Sequence, residues 1–288
     1  MQGKNLKQNI SQIYLTLVPV LTVVFGLAFG HISYKIYIPI WLFNVILMIA
    51  ATWILGGHLI RTSDEEKKHP IASAIFLVIP WMFISLFFGL GAPPYGQATA
   101  WVASATEQQV RYYFLFTVGV LIAIAFALLR EKLKKTQGDF FSLLGSVVIR
   151  IAIPIFLINM TFWGFYLEEL YRNMATSAIK KTPEWVLPIA NQFHYINMIV
   201  AALVYLATAF FAASLKKAGW FKPIACHIYI LVSLLFFILD VLPPSFPEPF
   251  TTLNLIVSIP AIPLLMPYFI GVNLLRRAQL IIQRDSNA

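Results

Sequence analysis

Residues 112–135 read YYFLFTVGVLIAIAFALLREKLKK, eighteen residues from Tyr112 to Leu129 without a charge, closed by Arg130, Lys132, Lys134 and Lys135. Away from water each unpaired backbone amide costs several kcal/mol, and a helix pairs its own amides. At a rise of 1.5 Å per residue, about 20 residues cross the hydrocarbon layer, which is roughly 30 Å thick. The basic cluster marks the side on which the crossing stops, because Lys and Arg are retained on the cytoplasmic face. The stretch is a transmembrane helix running from outside to inside.

Seven other stretches have the same character: Ile10 to Ile32, Tyr37 to Ile60, Pro70 to Leu90, Phe140 to Tyr166, Trp185 to Phe211, Trp220 to Leu242 and Thr252 to Leu275. The predicted fold is all-α, a polytopic membrane helix bundle of eight transmembrane helices formed by residues 1–288 as a single domain. Strand-like alternation is absent, which excludes a β-barrel. Composition agrees: of 288 residues 59% are hydrophobic and only 11% charged, against about 25% charged in soluble domains.

Charge fixes the orientation. With the N-terminus inside, fifteen basic residues fall on the cytoplasmic side: Lys4 and Lys7; Arg61, Lys67 and Lys68; Arg130, Lys132, Lys134 and Lys135; Lys216, Lys217 and Lys222; and Arg276, Arg277 and Arg284. Five fall outside, at Lys35, Arg111, Arg172, Lys180 and Lys181, and Arg150 lies within the fifth span. The split alternates loop by loop, so both termini are expected in the cytoplasm. The +9 net charge sits in clusters at span ends rather than in a stripe, which argues for membrane insertion and against a nucleic-acid partner. The plasma membrane of a bacterium is the expected location.

Lys4 and Lys7 followed by an apolar run ending in Ala28-Phe29-Gly30 also has features of a cleaved signal, but the run is longer than a signal core and is read as the first span. Cys226 is the one cysteine. It cannot form an intramolecular disulfide and is expected to be a small buried hydrophobe. The longest connection, Gly91 to Arg111, carries Gly91-Ala92-Pro93-Pro94-Tyr95-Gly96 and reads as an interfacial or re-entrant cap. A faint similarity between residues 122–126 (IAIAF) and 206–210 (LATAF), each followed by paired lysines and a glycine, suggests that spans four and five repeat as six and seven.

Polar residues inside the bilayer are the functional candidates, since an ionisable group there costs at least a few kcal/mol unless it pairs or meets water. Arg150 lies about mid-depth and is expected to pair with carbonyls, amides or an anion. Asn191, His194 and Asn197, at i, i+3 and i+6, form a polar stripe on the sixth span. Glu168 and Glu169, with Arg172 beyond, end the fifth span, and Asp240 ends the seventh. These groups are expected to converge on one outward-facing pocket in which His194 exchanges protons, the carboxylates bind a cation and Arg150 closes the base. Pro260, Pro263 and Pro267 should bend or break the eighth span and free carbonyls there. A haem between His194 and His227 lacks the repeated intramembrane histidine pairs such sites use, and no cofactor is expected.

Glu168-Glu169 with Arg172 loosely resembles the first motif of the CPBP-type intramembrane proteases, two glutamates, three residues and an arginine. Here only Leu170 and Tyr171 intervene, Ala190 stands where phenylalanine is expected before His194, and Leu231 stands where Asn or Asp is expected after His227. Membership is not assigned, and Gly-rich phosphate loops, HExxH and GxSxG are absent. The expected function is a carrier or ligand-binding protein, coupled to a cation or proton, whose partners are the lipid bilayer and a small molecule or ion. An intramembrane enzyme with Glu/His-activated water and a structural assembly subunit are the alternatives.

Overall fold

The computed structural model describes residues 6–29, 32–61, 65–91, 98–176, 184–243 and 246–285. Among these every regular element is helical: α1 (Leu6–Phe29), α2 (Tyr34–Leu55), α3 (Glu65–Leu90), α4 (Ala98–Leu133), α5 (Asp139–Thr161), α6 (Leu167–Thr176), α7 (Val186–Lys217), α8 (Pro223–Val241), α9 (Phe250–Val257) and α10 (Leu265–Asp285). A single π-helical turn, Phe162–Tyr166, joins α5 to α6. Seven unbroken stretches are long and apolar enough to cross a membrane, and α9 with α10, bent by 67°, makes an eighth. The protein is a multi-pass helical membrane bundle, as expected. Gly30, Lys4, Lys180, Lys181 and residues 92–96 of the expected cap lie outside the described residues.

Two helices carry the centre: 72% of the most apolar window of α3 and of α7 is buried, against 22% for α1 and for α2 and 28% for α8. The outer helices present Ile13, Leu17, Phe43, Ile46, Ile228 and Leu231, as apolar as anything inside, because lipid is no more polar than the core and packing rather than hydrophobicity holds such helices together. Small residues let the backbones approach. Gly145 of α5 faces the Phe211 ring of α7, and Gly271 of α10 faces Leu77 and the Ala74 carbonyl of α3. Trp81 and Tyr268 meet at 5.5 Å between α3 and α10, and Phe126 and Phe211 at 4.6 Å between α4 and α7. The two connections richest in lysine touch, since the Ser214 hydroxyl donates to the Gly138 carbonyl at 2.7 Å. This is the basic end of the bundle; the opposite end is the outer one by the charge count.

One expectation changes. The connection to Arg111 is not a re-entrant cap over its described part: from Ala98 it is the first turns of α4, whose 36 residues span about 54 Å and so project beyond the bilayer. There α4 meets α6, with the Trp101 and Tyr171 rings stacked at 5.7 Å. Helical residues without Gly or Pro after Gln97 leave nothing to end the helix.

Candidate functional site

At the outer end two helical stripes face each other. Ile158, Phe162, Tyr166, Glu169 and Asn173 recur at intervals of four, four, three and four along α5, the π turn and α6, which keeps them on one face. Trp185, Ile189 and Phe193 recur every four residues along the start of α7. Together they line a groove of about 770 Å³. Phe162 and Phe193 stack in parallel at 3.9 Å, Phe162 and Tyr166 are 5.7 Å apart, and Tyr166 and Trp185 are 6.2 Å apart. The groove opens on the surface of the bundle, for Ile158, Phe165, Tyr166 and Trp185 are all exposed. Glu169, also exposed, supplies its carboxylate. The π turn falls where one extra residue re-aims the following face, a feature frequent at functional sites.

Glu168 is one residue away and faces away from the groove, turned by the roughly 100° that separates successive helical positions. It is fully buried, and neither carboxylate oxygen has a hydrogen-bond partner among the described residues. The nearby buried cation is Arg111 of α4, which acts on Glu168 electrostatically. Arg111 is held by its own set of contacts: Nε donates to the Phe87 carbonyl at 2.8 Å, Nη1 donates to Gln108 Oε1 at 3.1 Å, and the guanidinium lies 3.7 Å from the Phe87 ring. Arg172 reaches across to α4, donating from Nη2 to Thr106 Oγ1 at 2.9 Å and Gln109 Oε1 at 2.6 Å. Charge counting had placed Arg111 in an outer loop and missed this cluster; its signal was a basic residue flanked by Gln108, Gln109 and Tyr112 on a continuous helix.

The stripe on α7 deepens as its spacing requires. Asn191 is exposed, His194 half-buried and Asn197 buried. Asn197 Oδ1 accepts from Asn159 Nδ2 of α5 at 3.3 Å, and its Nδ2 donates to the Ser258 carbonyl at 2.5 Å. Tyr205 Oη donates to the Val257 carbonyl at 2.8 Å. Carbonyls left open where α9 ends are thus capped by two side chains of α7. His194 lines a separate groove of about 270 Å³ with Tyr195, Phe246 and Glu248. Glu248, unremarked in the sequence, accepts from Thr252 Oγ1 at 2.8 Å.

Asp240 is buried at the end of α8, and neither of its oxygens has a hydrogen-bond partner among the described residues. It lines a groove of about 430 Å³ between α7 and α8, which adjoins the His194 groove through Tyr195, Met198, Leu242 and Pro243.

The expected single chamber is therefore not formed. Glu169 lies in the aromatic groove, Glu168 beside Arg111, Asn197 in the amide chain, His194 and Asp240 in adjoining grooves, and Asn191 on the surface. Arg150 departs furthest. It is exposed on the face of α5 that carries Leu143 and Val147, toward the basic end, and it lines none of the outer grooves. Adjacent residues such as Glu168 and Glu169 enter different environments, so closeness in sequence at a span end does not gather side chains. Neither Glu168 nor Glu169 is hydrogen-bonded to His194 among the described residues, and no group of three or more His, Cys, Asp and Glu there is arranged to hold a metal. No family model, curated protein or solved structure matches the chain.

Proposed function

We propose that this membrane protein binds an amphipathic organic cation in the aromatic groove between α5–α6 and α7. The observation that carries this reading is the pairing of a ring-lined groove with one carboxylate, Glu169, and no basic side chain among its lining residues. Ring faces attract a cation by about 0.5–2 kcal/mol each, and a carboxylate adds charge complementarity while Ile158, Ile189 and Leu170 accept the apolar body. The groove's exposed rings let a ligand enter sideways. The plasma membrane is the proposed location.

Tetraphenylphosphonium is a suitable probe, measured by equilibrium binding to the purified protein in nanodiscs. The expected result is saturable binding that E169Q weakens about tenfold, equivalent to roughly 1.4 kcal/mol, with uncharged tetraphenylsilane failing to compete. Equal affinity for wild type and E169Q would remove the proposal.

A second reading, a cation- or proton-coupled carrier, draws on Asp240, a buried carboxylate without a hydrogen-bond partner among the described residues at the end of α8, the helix that packs on α9 and, through its Leu239 carbonyl, accepts from Asn254 at 2.8 Å. A buried ionisable group in a membrane helix is a functional candidate for carrying the coupling proton or cation. In proteoliposomes, D240N or H194A is expected to abolish gradient-driven uptake of the same probe while leaving its binding intact. Uptake by both variants at the wild-type rate would eliminate the coupled carrier and leave the binding role standing.

A further inference from the structure

Arg150 stands eleven residues beyond the start of α5 at Asp139, about 16 Å along the helix by its rise. It is exposed, and among the described residues it makes no hydrogen bond or ion pair. Its neighbours on the same face, Leu143 and Val147, are apolar and exposed at 47% and 49%, so this is a face turned to lipid. A lone guanidinium in hydrocarbon costs at least a few kcal/mol, which an anion must offset.

We propose that Arg150 binds the phosphate of an anionic phospholipid in the groove between α4 and α5. That groove, about 220 Å³, is lined by Ala123 and Ala127 on one side and Ser146, Ile153 and Pro154 on the other. Alanines on α4 leave the room. No acidic side chain lines it, and the carboxylate at the base of α5, Asp139, is engaged by Arg130 at 2.7 Å. Guanidinium suits phosphate because it offers two parallel N–H donors. A helical side chain leans toward its helix N-terminus, here the basic end, whose lysine-rich connections attract anionic lipid.

Depth selects the source of the phosphate. A site on a helix face of exposed apolar residues such as Leu143 and Val147 is reached through hydrocarbon, so the anion must arrive on acyl chains rather than free in water. The site lies at the other end of the bundle from the cation groove and stands without it.

The test is native mass spectrometry of protein taken from nanodiscs holding equal phosphatidylglycerol and phosphatidylcholine. Wild type is expected to carry about fivefold more phosphatidylglycerol adducts than phosphatidylcholine adducts. R150Q should lose most of that preference, and R150K should lose at least half, because an ammonium is a point charge without the fork. An unchanged adduct ratio in R150Q overturns the proposal, as does a wild type without preference. Should R150Q not fold, R150K decides, and an unchanged ratio in it overturns the proposal equally. A wild-type dimer that R150Q dissociates without altering the lipid ratio would show a second copy on this face and would also overturn it.

Discussion

Asn197 joins three helices with one side chain, accepting from Asn159 and donating to the carbonyl of Ser258. Replacing it by leucine keeps the volume and removes both bonds, leaving a buried carbonyl and a buried amide unpaired. Such groups cost about 1–3 kcal/mol in water-soluble proteins, and interhelical bonds in membranes average nearer 0.6. N197L is therefore expected to lower the melting temperature in detergent by about 3–6 °C, with N191L on the exposed part of the stripe unchanged; equal melting of N197L and wild type would show that the amide chain contributes nothing. The polar stripe was legible as a spacing on one helix, and its increasing burial follows from that spacing. What each residue would touch was not legible, because partners such as Asn159 and Ser258 lie 38 and 61 residues away. Glu168 and Glu169 make the same point more sharply. Read as one acidic pair, they are divided by a single helical step between a sealed core and an open groove.

Elements were more readable than contacts. Uncharged runs mark α3, α7 and α8 unambiguously, since nothing else satisfies the backbone of twenty apolar residues in lipid. The rotation of each helix was hidden, because lipid-facing and buried residues are equally apolar and leave no amphipathic stripe to orient by. Arg150 was misplaced for that reason. The groove rings at 162 and 166 and at 185 and 193 were present in the sequence as aromatic spacings, and the π turn between α5 and α6 keeps the first stripe in line.

Contacts between elements then depend on small residues at fixed places. Tyr37 of α2 lies across Gly89 of α3, where a Cβ would overlap its ring, and its hydroxyl donates to the Ser85 carbonyl at 2.6 Å. G89A is expected to displace that ring and cost about 1–3 kcal/mol, whereas in a Y37A background the same change should cost well under 1, a coupling that a double-mutant cycle reads directly. Additive losses would mean that α2 is not held at this point.

Across the whole molecule the charge pattern and the architecture agree: eight crossings, with two lysine-rich connections in contact at one end, and an outer end built from the projecting turns of α4, the short α6 and the start of α7. Function does not follow from that frame. The outer half divides its polar groups among separate environments, and one of them, the ring-lined groove with Glu169, has the volume, the opening and the charge to hold a ligand. A photoreactive quaternary ammonium compound bearing an aryl azide, irradiated on the purified protein and mapped by peptide mass spectrometry, reads the location itself. The account predicts adducts on Phe162, Tyr166, Trp185 or Phe193 that excess tetraphenylphosphonium suppresses. Suppressible labelling at the His194 or Asp240 grooves instead, with these four residues unmodified, would contradict it.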